Sequence, residues 1–158
     1  MVALRAGSAA SLARILELNR AHEVELSPLG EEELRALVGC AFFAGATADG
    51  GAFLIALDQD AEYQSPNFAW FRQRFPSFVY VDRLAVEEGS RGRGHARRLY
   101  RALFAAAAAA GHGLVACEVN VEPPNPPSDA LHASLGFEEV GRSTLSSGKT
   151  VRYLCRRT

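Results

Sequence analysis

The sequence predicts an α/β (α+β) domain in which helices cover both faces of one central, mixed and twisted β-sheet. The main observation is a strand–helix–strand unit, with strands over 80–86 and 114–119 and a helix over 96–110 between them. A crossover of this length joins parallel strands, so these two strands are expected to run in the same direction. Hairpin turns at 48–51 and 146–149 add antiparallel strands. Parallel and antiparallel pairs in one chain predict a mixed sheet.

The composition is that of one globular domain over residues 1–158. Of these residues 48% are hydrophobic and 22% are charged, which is enough apolar material for a full core. The formal net charge of −1 argues against a nucleic-acid partner. No apolar run approaches the roughly 20 residues of a membrane span, so no membrane partner is expected. The three cysteines lack C-x-x-C spacing, which favours reduced thiols and a cytoplasmic location over a disulfide frame or a zinc site.

Two helices are predicted before the first hairpin. Apolar residues at helical spacing place one helix over 8–22, with Ser8 or Ser11 as its N-cap. After a turn at 27–30, a second short helix is predicted over 31–38, where acidic residues favour a helix start.

The strands of the first hairpin are predicted over 41–47 and 52–57. The stretch that follows this hairpin, 59–76, has no clear hydrophobic period. Long connections without structure are uncommon in compact domains unless they are functional, so we interpret 59–76 as a cover over an acceptor site. The alternative is that its aromatic residues pad the core beside a short helix over 67–74. Those aromatic residues are Tyr63, Phe68, Trp70, Phe71 and Phe75.

A glycine- and arginine-rich turn over 90–97 joins the central strand to its helix. Gly92 and Gly94 let the backbone turn sharply, so that the first N–H groups of the helix point outward. With the helix dipole and nearby arginines, these groups form an anion site suited to a diphosphate. A P-loop would need a lysine after the glycines, and a Rossmann fingerprint would need a third glycine and a suitably spaced acid; neither is present. The alternative is a solvent-exposed linker.

The residues from Arg91 to Ala96 have the form R-x-x-G-x-A, which resembles the cofactor-binding turn of the GCN5-related N-acetyltransferase (GNAT) superfamily. The segment 125–137 is similar to the second signature of that family, N-x-x-A-x-x-x-Y-x-x-x-G-F. The resemblance implies a single GNAT-like domain and an acetyl-CoA-dependent N-acetyltransferase. It implies a small-molecule or peptide amine as acceptor and leaves a homodimer open. A non-catalytic acyl-CoA-binding or regulatory module is the alternative.

The resemblance also implies which residues contact the cofactor. Leu84–Val86 resembles the strand whose backbone pairs, in that family, with the pantetheine arm of the cofactor. A backbone N–H near Leu84 would then stabilise the oxyanion that forms during acetyl transfer. The loop between the first two helices borders the acceptor site, which makes Glu23, Glu25 and Ser27 substrate candidates. The full set of implied cofactor contacts is Leu84, Ala85, Val86, Arg91, Gly92, Arg93, Gly94, His95, Ala96, Arg97, Asn125, Ser128 and His132.

Asp82 is the candidate base for the amine proton. With a period of two, the side chains of Tyr80, Asp82, Leu84 and Val86 are expected to share one face, so Asp82 would project beside the strand that holds the cofactor and could accept the proton directly or through water. The alternative is an aspartate paired with Arg83 or another arginine.

His132 stands where the family pattern has a tyrosine that acts as general acid toward the thiolate. Histidine donates a proton near neutral pH, so His132 is the candidate acid. The alternatives are a hydrogen bond to the cofactor without proton transfer, or a buried histidine with satisfied nitrogens. Asn125 either contacts the pantetheine or caps its helix, and Ser128 replaces the alanine of the pattern. His22 and His112 have no partner pattern for a metal.

Overall fold

The computed structural model describes residues 1–4 and 9–158. Ser8, one of the predicted N-caps, lies outside the described residues. Within them the helices are α1 Ala9–Ala21, α2 Glu23–Leu26, α3 Glu31–Cys40, α4 Pro66–Arg72, α5 His95–Ala109 and α6 Pro126–Ser134. The strands are β1 Val2–Ala3, β2 Phe43–Ala46, β3 Ala52–Asp58, β4 Val79–Val86, β5 Leu114–Glu122, β6 Glu138–Thr144 and β7 Thr150–Arg157. No helix in this part of the chain is long and apolar enough to cross a membrane.

The strands form one sheet in the order β1-β2-β3-β4-β5-β7-β6. Only the central β4–β5 pair is parallel, and the other neighbours are antiparallel. The α5 crossover joins the parallel pair, as the spacing predicts. The predicted mixed sheet is confirmed.

Helices pack on both faces of the sheet. Leu12 of α1, Leu34 of α3 and Phe68 of α4 belong to one buried cluster, and we call this side the α1 face. Leu99 of α5 belongs to a second cluster, against which Leu131 of α6 also packs, and we call this side the α5 face. The predicted fold class is therefore confirmed.

The two central strands separate soon after they meet. β4 and β5 pair only at Val79 with Val115 and at Tyr80 with Ala116. Beyond these residues β5 stays paired with β7, while β4 stays paired with β3. The facing edges of β4 and β5 therefore have no strand partner from Val81 and Cys117 onward, and we call this opening the β4–β5 gap. Backbone N–H and C=O groups along the open edge of β4 are free for a ligand.

A β-bulge in β4 changes which way its side chains point. Ile55 pairs with Arg83 and the next residue, Ala56, pairs with Val81, so Asp82 is an extra residue in β4. Tyr80 consequently packs in the α1-face cluster, whereas Leu84 and Val86 pack against the α5-face cluster. The prediction that Tyr80, Asp82, Leu84 and Val86 share one face is wrong, because the bulge breaks the alternation that it assumed.

The aromatic residues of segment 59–76 pack in the core beside a short helix, which was the alternative interpretation of this segment. Ser65 caps α4 by accepting a hydrogen bond of 3.0 Å from the Phe68 N–H. Phe68 and Phe71 are fully buried on the α1 face. Trp70 stacks on Tyr153, with 4.1 Å between ring centroids. The buried aromatic residues of this segment therefore belong to the core, and a cover over the acceptor site stays a prediction.

Candidate active site

A cavity of about 650 Å³ lies along the β4–β5 gap, between α2 and the N-terminal ends of α5 and α6. We call it the outer cavity. It brings together most of the residues for which a cofactor contact was predicted. These residues are Leu84, Ala85, Val86, Arg91, Gly92, Gly94, His95, Ala96, Arg97, Asn125 and Ser128.

The turn before α5 has the open conformation that an anion site needs. Gly92 and Gly94 have φ angles of 77° and 76°, in the left-handed region that disfavours side chains. Nothing lies within 4 Å of where a Cβ would stand at either glycine, so φ rather than crowding requires glycine here. Gly94 is the N-cap of α5 and has no side chain to cap it. The first N–H groups of α5 are therefore left to face the outer cavity.

Arg93 is an exception among the predicted contacts. It is exposed at the tip of this turn and does not line the outer cavity. Its carbonyl accepts a hydrogen bond of 3.0 Å from the Arg98 guanidinium. The positive φ angles of the flanking glycines turn the backbone here, and the Arg93 side chain ends outside the cavity. The predicted contact between Arg93 and the cofactor therefore has no support from the lining of the outer cavity and stays a prediction.

His95 offers a donor to a bound ligand. The Arg98 guanidinium lies 3.1 Å from His95 Nδ1 and can only donate, so Nδ1 accepts and Nε2 carries the proton. Nε2 is buried and has no hydrogen-bond partner among the described residues. Because His95 lines the outer cavity, this orphaned N–H suits an anionic ligand.

A second cavity of about 100 Å³, which we call the inner cavity, adjoins the first. Both are lined by Glu25, Leu26, Leu84, Asn125 and Ser128. The inner cavity is further lined by Asp82 and Glu118, and from the α5 face by Tyr100, Cys117 and His132. It therefore reaches into the β4–β5 gap.

Glu118 of β5 is the residue that the sequence analysis missed. Its carboxylate accepts hydrogen bonds from the Tyr80 hydroxyl at 2.7 Å and the Asn67 side-chain amide at 3.0 Å. Burial raises its pKa to about 8, and the nearby charge of Asp82 adds to the rise while the two hydrogen bonds oppose it. Its side chain keeps some solvent access through the inner cavity. The only signal in the sequence is one carboxylate inside the apolar strand LVACEVNV.

Asp82 has a cation beside it, which Glu118 lacks. The Tyr63 hydroxyl donates to Asp82 Oδ1 at 2.6 Å, and Arg83 Nε donates to Oδ2 at 3.0 Å. Burial raises the pKa of Asp82, and the positive charge of Arg83 opposes that rise. This is the ion-paired arrangement that the sequence left as the alternative for Asp82. The structure still places Asp82 on the inner cavity.

Arg83 also ties β4 to the helices that border the site. One terminal nitrogen of its guanidinium donates to Asn19 Oδ1 at 2.8 Å, to the Leu26 carbonyl at 2.8 Å and to the Ser27 carbonyl at 3.1 Å. Asn19 donates to the same Ser27 carbonyl at 3.0 Å. Ser27 has a φ angle of 70°, a strained conformation for serine that these bonds hold. The end of α2 is thereby fixed to the strand.

The three substrate candidates between α1 and α3 differ in whether they line the cavities. Glu25 lines both cavities, whereas Glu23 and Ser27 line neither. Ser27 contributes through its carbonyl, which Arg83 and Asn19 hold.

His132 is buried, and both of its ring nitrogens are engaged. Nδ1 lies 2.7 Å from the Ser128 carbonyl, which can only accept, so Nδ1 carries the proton. Nε2 accepts from the Tyr100 hydroxyl at 2.6 Å. Burial lowers the pKa of His132, which keeps the ring neutral near pH 7. This matches the alternative of a satisfied buried histidine, and in this tautomer the ring has no free proton for a thiolate.

Asn125 accepts from the Ser128 N–H at 3.4 Å and lines both cavities, so it caps α6 at the site.

The structure thus combines a mixed sheet, a pair of parallel strands that separate, and a cavity between them at a helix N-terminus. The chain matches the acetyltransferase (GNAT) family over residues 22–137 and therefore belongs to that family. It is 30% identical over 103 residues to the L-2,4-diaminobutyric acid acetyltransferase of Wolinella succinogenes. That match covers 65% of this chain and 55% of the relative, so the chain spans about half the length of the relative that it matches.

Solved structures share the fold over nearly the whole chain. A chain of the NatC complex bound to Gag peptide and CoA is 17% identical, with a TM-score of 0.74 over 99% of this chain and 96% of that one. Arabidopsis thaliana NAA60 in complex with acetyl-CoA is 18% identical, with a TM-score of 0.73 and coverage of 99% and 98%. An aminoglycoside 6'-N-acetyltransferase complexed with coenzyme A is 13% identical, with a TM-score of 0.73 and coverage of 99% and 95%. The predicted family and fold are confirmed.

Proposed function

We propose that this chain is an acetyl-CoA-dependent N-acetyltransferase that transfers an acetyl group directly to a primary amine. The observation that carries the proposal is the junction of the two cavities. A cavity at a helix N-terminus meets, in the β4–β5 gap, a carboxylate whose pKa of about 8 suits proton transfer. Family membership supports the same reaction.

The residues of the outer cavity fit coenzyme A. The first N–H groups of α5, the side chains of Arg91 and Arg97 and the orphaned N–H of His95 would hold the diphosphate. The open edge of β4 at Leu84–Val86 would pair with the amide groups of the pantetheine arm. The bound cofactor supplies an activated acetyl thioester; the protein supplies its position.

Glu118 is the group that we assign as general base. An aliphatic amine has an ordinary pKa near 10.4 and must lose a proton before it attacks. The Glu118 carboxylate has no cation paired with it in the described structure, and its pKa of about 8 makes its ionised form a strong enough base to take up that proton, in a fraction of the molecules that grows as pH rises toward 8. Asp82, which the sequence suggested, is balanced by Arg83. We therefore assign Asp82 to holding Arg83.

The remaining roles follow from the open edge of β4 and from the leaving group. A backbone N–H near Leu84 would donate to the oxygen that gains charge in the transition state. A thiol has an ordinary pKa of about 8.5, so a departing thiolate can take its proton from water. Proton donation by His132 stays a prediction. The hydrogen bond from its Nδ1 to the Ser128 carbonyl argues against it, because that proton is already engaged.

The acceptor belongs to the class of primary amines. The relatives are named for a diamino acid, a peptide complex and an aminoglycoside. A cytoplasmic location and the absence of nucleic-acid and membrane partners stay predictions from the sequence, and a homodimer stays open.

The test is acetyl-CoA-dependent thiol release with a panel of amines, in wild type and in Glu118→Gln. We expect release that depends on the amine and falls in the variant. A non-catalytic binding module would instead bind acetyl-CoA by calorimetry and show release at background with every amine.

A further inference from the structure

We propose that the acceptor is a small amine that carries a second positive charge, and that Glu25 recognises this charge. This inference rests on the proposed function, because it names the acceptor class for the same site. It is carried by the charges that line the inner cavity and by the way α2 is fixed beside it.

The inner cavity has an acidic lining. Its charged side chains are Glu25, Asp82 and Glu118, and no lysine or arginine of the described chain lines it. Arg83 balances Asp82 through a bond of 3.0 Å. Two carboxylates are therefore left without a cation, namely Glu118 in the gap and Glu25 at its border.

Glu25 lies where a bound amine would pass. It lines both the outer and the inner cavity, so it borders the junction where thioester and amine would meet. It is exposed and makes no ion pair with any described residue. Glu23, one helical turn or less away on α2, lines neither cavity. The chain thus offers a matched pair of exposed glutamates, of which only one borders the site.

The position of Glu25 is fixed relative to Glu118. Arg83 bonds the carbonyls of Leu26 and Ser27, directly after Glu25, and the same arginine sits on β4 at the wall of the gap. The backbone that carries Glu25 is held in this way, so only the rotamers of its side chain need to be ordered when a cation binds.

The efficiency with which an amine is acetylated should therefore depend on the charge at the end of the molecule away from the reacting nitrogen, which we call its tail. A cationic tail would pair with Glu25 while Glu118 takes the proton from the reacting nitrogen. An anionic tail would meet the charge of Glu25 and, once Glu118 has ionised, the charge of Glu118, with no lysine or arginine of the described chain lining the inner cavity, which opposes binding. We expect the order cationic, neutral, anionic for amines of equal length.

The experiment uses three amines with three-carbon chains: 1,3-diaminopropane, n-propylamine and 3-aminopropanoate. The readout is kcat/KM for acetyl-CoA-dependent thiol release in wild type, Glu25→Gln and Glu23→Gln. The ratio of 1,3-diaminopropane to n-propylamine is compared between proteins, because intrinsic differences between the amines cancel in that comparison. We expect a ratio of about tenfold or more in wild type, a fall of at least about fivefold in Glu25→Gln, and no change in Glu23→Gln.

The inference is overturned if Glu25→Gln leaves the ratio unchanged, or if 3-aminopropanoate is used as well as the diamine. It is also overturned if none of the three amines is acetylated by a protein that turns over other amines. Failure of the proposed function looks different: calorimetry would show no acetyl-CoA binding, or thiol release would stay at background with every amine of the wider panel.

Discussion

The Tyr80 hydroxyl donates a hydrogen bond of 2.7 Å to the Glu118 carboxylate at the point where β4 and β5 separate. The two residues stand on neighbouring strands, and Tyr80 is fully buried behind the carboxylate. Burial raises the pKa of Tyr80 well above its ordinary value, so its hydroxyl stays a donor throughout the neutral range. Glu118 is thereby oriented toward the inner cavity by a partner that does not titrate with it.

Replacement of Glu118 by glutamine should remove the proton acceptor while keeping the side-chain shape. We expect kcat/KM for a good amine to fall by about 10² to 10⁴. In wild type, activity should rise with pH up to about 8 as Glu118 ionises, and that rise should be weakened in the variant. Glu122→Gln, which changes an exposed carboxylate at the end of the same strand, should behave as wild type. Equal turnover by Glu118→Gln and wild type would show that water or another group is the base.

The same substitution should change how stability depends on pH. The unfolded chain loses the Glu118 proton near 4.5, whereas the folded protein holds it to about 8. Between these values the folded state binds more protons, so wild-type stability falls as pH rises. Glutamine does not titrate, so Glu118→Gln should gain about 1–3 kcal/mol over wild type between pH 5 and pH 8, with allowance for the solvent access of Glu118. Urea unfolding at both pH values measures this, and a constant difference would contradict it.

Gly94 tests the cofactor site. Its φ angle of 76° is costly for a β-branched residue, so Gly94→Val should change the turn that aims the N–H groups of α5. We expect coenzyme A affinity to fall by about tenfold or more by calorimetry. Gly89→Val is the control, because Gly89 lies nearby, has no positive φ and has open space around its Cα. Arg93→Gln should have little effect, in contrast to the sequence-based expectation. Unchanged affinity in a folded Gly94→Val protein would refute the assignment.

Arg83 tests the connection between β4 and α2. Arg83→Met leaves Asp82 buried without its cation and frees the carbonyls of Leu26 and Ser27, so a loss of about 3–5 kcal/mol in unfolding free energy is expected. The double variant Arg83→Met/Asp82→Asn should lose less, because no charge is left unpaired. Arg142→Met, at an exposed ion pair with Glu139, should cost far less than Arg83→Met. A double variant no better than the single one would mean that the loop carbonyls, not Asp82, dominate.

His132 tests whether the neutral ring acts as an acid. His132→Phe leaves the Tyr100 hydroxyl and the Ser128 carbonyl without their partner, so a stability loss of about 1–3 kcal/mol is expected. With its proton bonded to a carbonyl, the ring should contribute less than about tenfold to turnover. Turnover of wild type and variant is compared across neutral pH at a temperature where both are folded. A fall of about 10² or more without loss of stability would restore the role of proton donor.

The features that local chemistry determines could be predicted from the sequence. The glycine turn, the start of α5 and the cap at Asn125 depend on residues a few positions apart, and each lies at the site. Glu118 was missed because its partners Tyr80 and Asn67 are 38 and 51 residues away, and burial by the whole fold raises its pKa. Arg83 reaches a carbonyl 57 residues away, which no local pattern indicates.

Because Asp82 is an extra residue, the side chains of β4 alternate in opposite phase before and after it. Before it, Tyr80 serves the core of the α1 face; after it, Leu84 turns to the other face while the backbone edge borders the gap. Deletion of Asp82 would remove the bulge and leave Leu84 opposite Leu54 on its present face, but Arg83 would lose the carboxylate beside it. For protein engineers, an insertion or deletion of one residue at any other position within this strand would interchange the two faces for all the residues that follow in it.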